Sequence, residues 1–271
     1  MEYLISSWPK IKSMVQAAKR VLFMSDFDGT LTPIVEKPEL AVLSAEGREI
    51  LRRMVQLDKF TVGIISGRAL ADLKARVDIE GLILAGNHGF EIEGPGWNFI
   101  SPIAEEIKPL FRILRQLLSM TLGKIKGVLV EDKGLSLSVH YRHAEEGSVG
   151  AIEDMVERVV QRPALRGLIK VTPGKKVYEV KPAVNWNKGK AIRLLMKRYG
   201  KGGRQSGLLP IFLGDDVTDE DGFQAINRYG NGIAVYVGEP RGDFSAEYYL
   251  NSPQEVLLFM ANIIESIRGE R

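Results

Sequence analysis

No cysteine occurs in this 271-residue chain, which excludes disulfide bonds, thiolate nucleophiles and thiolate metal ligands and is compatible with a reducing compartment. Long apolar runs are missing too. The apolar stretches at residues 21–24 and 207–213 fall far short of the ~20 residues that span a bilayer. The N-terminus reaches Lys10 and Lys12 without an apolar leader or a small-residue cleavage site, so the expected protein is soluble and cytoplasmic, with no membrane partner. Neither sign of charge is in large excess: 37 Lys and Arg stand against 34 Asp and Glu, a net +3. That balance, with no aromatic-rich basic stretch, argues against a nucleic-acid partner. The basic run at 197–204 reads as a solvated helix end and loop. No internal repeat or low-complexity tract is present. What is there is the composition of an ordinary globular protein, 45% hydrophobic and 26% charged, long enough for one sizeable core with a smaller inserted domain.

Short β-rich runs alternate with amphipathic segments. Strands are expected at 21–24, 61–65 and 82–85, with helices at 45–57 and 70–77 between or after them. The alternation resumes late, with a helix at 188–199, strands at 208–213, 233–237 and 247–250, a short helix after Thr218 and a closing helix at 254–267. Such βαβ grammar implies a parallel sheet with right-handed crossovers, that is, an α/β core. Between the halves the grammar changes to helices at 103–120 and 149–160 and strands paired through hairpins, at 128–131 and 135–141 and around Pro173-Gly174. The expected organisation is therefore a core of residues 1–93 and 182–271 with an α+β insertion at 94–181, bounded by Gly94-Pro95-Gly96 and Lys181-Pro182.

The chemistry-bearing residues cluster after the expected strands. Asp26 and Asp28, in Asp26-Phe27-Asp28-Gly29-Thr30, follow the first apolar run, where ligands bind in open α/β sheets. Gly29 permits a sharp turn, and Thr30 offers a hydroxyl and an N–H to an anion. The bland alternative is an Asp-Gly turn. A second acidic loop, Gly214-Asp215-Asp216-Val217-Thr218-Asp219-Glu220-Asp221, follows the run at 208–213. Two unit charges ~4 Å apart at an effective dielectric near 20 repel by about 4 kcal/mol. Such a loop therefore needs a cation or open solvent. A solvated loop with Thr218 as helix N-cap accounts for Glu220 and Asp221, and less well for Asp215 at the strand end. Few, hard oxygen ligands suit Mg²⁺. Ser66, in Ile65-Ser66-Gly67-Arg68, is either a helix N-cap or a hydroxyl donor at a third strand end. Lys188 opens a helix, a position the macrodipole disfavours unless an anion compensates it.

Taken in order, the DxDGT stretch, Ser66, Lys188 and the Gly-Asp-Asp loop resemble the four motifs of the haloacid dehalogenase-like phosphatase superfamily. The resemblance implies a doubly wound, Rossmann-like core, with the insertion acting as a cap. It makes Asp26 the nucleophile, Asp28 the general acid and base, Ser66 and Lys188 phosphate holders and Asp215 a metal ligand. Asp219 becomes a supporting ligand or a group behind the ligands, so Mg²⁺ is sought among Asp26, Asp28, Asp215 and Asp219. Thr30, Gly67 and Arg68 join Ser66 on the substrate side. Finer stretches, Asp26-Phe27-Asp28-Gly29-Thr30-Leu31-Thr32-Pro33-Ile34, Gly86-Asn87-His88-Gly89-Phe90-Glu91, Glu131-Asp132-Lys133-Gly134 and Ser138-Val139-His140-Tyr141-Arg142, are similar to the trehalose-6-phosphate phosphatase family. That resemblance implies trehalose 6-phosphate as substrate, sugar contacts from Glu131, Lys133 and Glu179, and Asn87 and His88 near the cleft. The expected protein is a monomer, with a trehalose-6-phosphate synthase as an associate. The insertion's residues alone allow surface ion pairs at Glu131 and Lys133, a buried structural His88, and a strand that simply ends at His140. A same-core enzyme for sucrose phosphate or a glycosylglycerate phosphate is the competing expectation.

Overall fold

The computed structural model describes residues 1–36, 38–174, 176–200, 207–240 and 242–268; the part of the basic run at 201–204 lies outside them. It divides into two compact units, Met1–Asn98 with Trp186–Arg271, and Phe99–Asn185. Both divisions lie a few residues past the expected 93 and 181, and at the first the Gly94-Pro95-Gly96 stretch is a hairpin turn between two strands.

In the first unit the chain forms β1 (Glu2–Tyr3), α1 (Trp8–Ala17), β2 (Arg20–Ser25), α2 (Ala45–Val55), β3 (Phe60–Ile65), α3 (Leu70–Val77) and β4 (Ile83–Gly86). The hairpin β5 (Glu91–Gly94) and β6 (Trp97–Ile100) leads into the second unit. That unit holds α4 (Pro102–Leu122), β7 (Leu129–Asp132), β8 (Leu137–His140), α5 (Val149–Leu165), β9 (Ile169–Gly174) and β10 (Val177–Pro182). The chain then returns to the first unit through α6 (Lys188–Tyr199), β11 (Leu208–Gly214), α7 (Glu220–Tyr229), β12 (Ile233–Val237), β13 (Tyr248–Leu250) and α8 (Pro253–Arg268). None of the described helices is long and apolar enough to cross a membrane.

The large sheet runs β1-β13-β12-β11-β2-β3-β4-β5-β6. It is parallel from β1 to β4. The central strands β2 and β11 are buried on both faces, as parallel strands covered by helices must be. Alternate residues serve opposite layers. Val21, Phe23, Leu209, Ile211 and Leu213 join one apolar cluster with Leu51, Met54 and Phe259 from α2 and α8. Phe212 faces the other way and packs against Phe223 of α7, with ring centroids 5.6 Å apart. Burying each such side chain stabilises by about 1.5–3 kcal/mol. This is the doubly wound α/β core.

Register then sets the site. Ser25 pairs with Leu213 on one side and Ile64 on the other, and Ile65 pairs with Ala85. The loops that follow β2, β3, β4 and β11 therefore open on one edge of the sheet, the carboxyl edge where α/β folds bind ligands.

The second unit is an antiparallel sheet in the order β7-β8-β10-β9. Leu137, Val139 and Val180 on one face are buried, and α4 and α5 pack on the sheet through β7 and β9. The opposite face carries one polar rung, Glu131–Ser138–Glu179–Thr172, each residue paired with the next across four strands.

Candidate active site

Asp26 begins the loop after β2 and is tied to the neighbouring strand, its N–H donating to the Leu213 carbonyl at 2.9 Å. The loop turns back at once: Leu31 and Thr32 both donate to Phe27 O at 3.0 Å, and Gly29 donates to Thr32 O at 2.7 Å. Gly29 sits at φ +85°, and a Cβ there would lie 2.1 Å from an Asp215 carboxylate oxygen. Only glycine meets both conditions. The same closeness lets the buried Thr30 donate its Oγ1 hydrogen to Asp215 Oδ1 at 3.1 Å.

Lys188 lies at the first turn of α6, whose N-cap Asn187 accepts from the Lys190 N–H at 2.9 Å. Its ammonium, 3% exposed, donates to Asp26 Oδ1 at 2.8 Å and Asp219 Oδ1 at 2.7 Å. The anions that a lysine at this helix start requires are thus carboxylates. Asp219 is fully buried, and its other oxygen accepts from the Asp215 and Asp216 N–H groups at 3.1 and 3.2 Å. It therefore organises both the lysine and its own loop. Asp216, not Thr218, caps the following turn, taking the Thr218 N–H at 2.7 Å. Glu220 accepts from the Ser245 N–H at 2.8 Å.

Carboxylate oxygens of Asp26, Asp215 and Asp219 come within 4.8 Å of one another. Burial, together with the charges of Asp219 and Asp216, pushes Asp215 up to about 7. Burial raises Asp26 well above the usual carboxylate range, with Lys188 opposing and Asp219 and Asp215 reinforcing. Burial alone would lower Lys188, but Asp219 and Asp26 outweigh it and hold the ammonium charged. One lysine does not neutralise three close acids, so a cation would relieve the cluster. Hard oxygen donors fit a small divalent ion. Asp28 stands outside this trio.

Asp28 instead faces Arg68. The guanidinium donates to both Asp28 oxygens, at 2.7 Å from Nε and 2.6 Å from Nη2, and to Asp72 at 2.8 Å. Arg76 donates to Asp72 from the next turn of α3 at 2.9 Å, so the charges at 68, 72 and 76 form one ladder. Arg68, which the resemblance puts on the substrate side, also holds the loop of the DxDGT stretch. Ser66 is buried beyond β3 and is not the N-cap of α3, which is Ala69; its Oγ accepts from the Arg68 N–H at 3.1 Å. Asn87 and His88 follow β4 with φ of 51° and 57°. These left-handed conformations are held by Asn87 N–H to Arg68 O at 2.7 Å and His88 N–H to Ser66 O at 2.8 Å. The His88 ring lies over Gly67, where a Cβ would meet it at 2.8 Å. Asn87 donates to Glu91 at 3.1 Å, while its buried Oδ1 has no partner among the described residues.

The first unit thus brings together Asp26, Asp28, Thr30, Ser66, Gly67, Arg68, Asn87, His88, Lys188, Asp215 and Asp219. Glu131, Lys133 and Glu179 belong to the second unit. Glu131 and Glu179 share the polar rung, and Glu179 pairs with Lys181. Lys133 lies just past β7, which ends at Asp132, and its N–H closes the hairpin on Ser136 O. Its ammonium still comes within 3.6 Å of Glu131.

A doubly wound sheet with a DxDGT turn at one strand end, a hydroxyl at the next, and a lysine locked to a paired acidic loop defines a phosphatase of the haloacid dehalogenase-like class. Comparisons with known proteins narrow the class. A family model described as trehalose-phosphatase matches residues 24–254. The chain is 32% identical over 264 residues to "Trehalose-phosphate phosphatase B" of Arabidopsis thaliana, covering 93% of this chain and 69% of that protein. The solved "C. albicans Trehalose-6-phosphate phosphatase C-terminal domain" superposes with a TM-score of 0.77 at 26% identity, covering 95% of this chain and 96% of that one. The C-terminal domain of "Candida albicans trehalose synthase regulatory protein" shares the fold at TM-score 0.70 and 14% identity, over 93% of this chain and 97% of that one. The chain belongs to the trehalose-phosphatase family.

Proposed function

We propose that the protein hydrolyses trehalose 6-phosphate to trehalose and phosphate through an aspartyl-phosphate on Asp26, the last step of trehalose biosynthesis. The observation that carries this reading is the Asp26 carboxylate held 2.8 Å from the buried Lys188 ammonium at the mouth of a parallel sheet. Lys188 and the Ser66 hydroxyl hold the phosphate, and Thr30 keeps Asp215 in place. Asp26 attacks phosphorus, the bond from phosphorus to the sugar 6-oxygen breaks, and Asp28 gives that oxygen a proton. Water then attacks phosphorus, the bond to Asp26 breaks, and Asp28 takes the water's proton. Arg68 orients Asp28 through both of its oxygens.

Asp26 and Asp215 are the residues to hold Mg²⁺, with Asp219 behind them, since both Asp219 oxygens are already engaged by Lys188 and loop N–H groups. When bound, the ion offsets the charge between a carboxylate nucleophile and a phosphate dianion. The insertion acts as a cap, Glu131, Glu179 and Lys133 contacting sugar hydroxyls, and Asn87 Oδ1 is a further acceptor for them. On this reading the protein is a cytoplasmic monomer whose substrate comes from a trehalose-6-phosphate synthase, as a loose associate at most.

A regulatory role without catalysis, which the fold alone would permit, fits poorly with the presence of Asp26, Asp28, Ser66, Lys188 and Asp215. The deciding assay measures phosphate release from a panel of sugar phosphates with and without Mg²⁺. Trehalose 6-phosphate should lead; a preference for sucrose phosphate or a glycosylglycerate phosphate overturns the assignment.

A further inference from the structure

His140 ends β8 one pair beyond the polar rung of the second unit. The register matches Glu131 to Ser138 and Leu129 to His140, so His140 lies diagonal to Glu131 on the same face, within reach of a long side chain. Its Nε2 is 2.8 Å from Glu131 Oε2, and Lys133 Nζ approaches the same oxygen at 3.6 Å. Burial pushes the Glu131 carboxyl up, but the bond from His140 and the charge of Lys133 outweigh it and hold the group below the usual range. An ionised Glu131 can only accept, so the hydrogen of this bond sits on His140 Nε2. Both neighbours bear on Oε2, which leaves Oε1 free of them.

We propose that His140 is a positioning residue for substrate recognition: by donating from Nε2 to Glu131 Oε2 it fixes the carboxylate so that Oε1 accepts from a polyol hydroxyl of the substrate. This inference rests on the reading that the polar face of the insertion contacts the sugar. Half-buried glutamates with three free torsions lose rotamer entropy when they bind, and a neighbour that fixes them beforehand lowers that cost. The partner carboxylate on the rung, Glu179, is held in the same manner by Lys181. The face therefore presents two acceptors whose orientation is set before any sugar arrives. No histidine touches the reacting atoms in this scheme.

The test uses the full chain with Mg²⁺ and two substrates, trehalose 6-phosphate and p-nitrophenyl phosphate, which has no sugar hydroxyls. His140→Ala should raise KM for trehalose 6-phosphate by ~10-fold, the scale of one hydrogen bond to a charged group. Its kinetics on p-nitrophenyl phosphate and its melting temperature should match wild type. His140→Gln, which keeps a side-chain N–H, should recover most of the loss. His140→Ala combined with Glu131→Gln should be no worse than Glu131→Gln alone, because the two groups act as one unit. Nitrogen-15 spectra should place the His140 hydrogen on Nε2 in wild type and shift that signal in Glu131→Gln. An unchanged KM in His140→Ala, additive losses, or an equal loss on both substrates overturns the inference while the trehalose reading stands. A wild type that turns over p-nitrophenyl phosphate but not trehalose 6-phosphate overturns both.

Discussion

The two units treat their carboxylates in opposite ways. In the first, Asp26 and Asp219 are 5% and 0% exposed and share one buried lysine, and Asp215 crowds them without a bond to it. In the second, Glu131 and Glu179 are about one-third exposed in their side chains, and each has its own cationic neighbour. The first arrangement concentrates unrelieved charge, which raises the acids and invites a cation. The second distributes charge in pairs and keeps acceptors ready for neutral donors. Burial with too few counter-charges suits chemistry on an anion; half-exposure with matched charges suits recognition of hydroxyls.

The sharpest way to break this division is Asp26→Asn. Turnover of every phosphate ester should fall by ~10⁴-fold or more, because the residue acts as a covalent unit with its partners. Circular dichroism and melting should show an intact fold, since the change removes one of three crowded charges and leaves Asp219 for Lys188. Substantial phosphate release in a metal-replete assay would sink the role given to Asp26.

Removing metal comes next. Chelation should lower turnover by ~10²–10³-fold, as expected for loss of several kcal/mol of charge stabilisation, and Mg²⁺ should restore it. A carboxyl raised from its ordinary value to about 7 adds to stability below its unfolded pKa, and loses that contribution as pH rises through about 7. Metal-free protein should therefore lose melting temperature between about pH 4 and 7. Saturating Mg²⁺ should flatten that slope, and apparent Mg²⁺ affinity should fall below about pH 7 as protons compete for Asp215. A melting profile indifferent to Mg²⁺ at every pH would mean the acidic trio holds no ion.

Arg68→Ala tests the boundary between chemistry and support inside the first unit. Loss of a two-point, charge-assisted grip on Asp28 should lower kcat by ~10–100-fold and leave KM within a few-fold. A KM effect alone would return Arg68 to the substrate side. Asp72→Asn, which loosens Arg68 from behind, should give a weaker version of the same pattern.

The strands that carry the site were legible because β2, β3 and β11 are parallel and buried on both faces, and so read as unbroken apolar runs with their polar residues displaced to the ends. Lys188 was legible too, as a cation at a helix start that needed an anion. What escaped depends on pairing. β1 has two residues and exists only because β13 offers an edge; β5 and β6 were hidden because Gly94-Pro95-Gly96 reads as a linker. The turn after β7 is set locally, with Asp132 taking the Gly134 N–H at 2.8 Å. The hold of Arg68 on Asp28 joins residues 40 positions apart, although the spacing of Arg68, Asp72 and Arg76 was a visible sign that the arginine sat in a charge ladder. The Glu131–His140 pair depends on strand register, which alternation within one strand does not reveal.

Glu179→Gln has the smallest expected effect and tests the second half of the comparison. The substitution keeps shape and one oxygen acceptor and removes the charge that pairs with Lys181. KM for trehalose 6-phosphate should rise ~3- to 10-fold, the scale of one hydrogen bond that loses its charge assistance. Turnover of p-nitrophenyl phosphate should not change. Stability should move by less than ~1 kcal/mol, as for an exposed ion pair. If both substrates suffer alike, the rung supports the fold or the chemistry rather than the sugar. If neither does, Glu131 with its two neighbours carries recognition alone, and the matched charge at Glu179 is only a solvated pair.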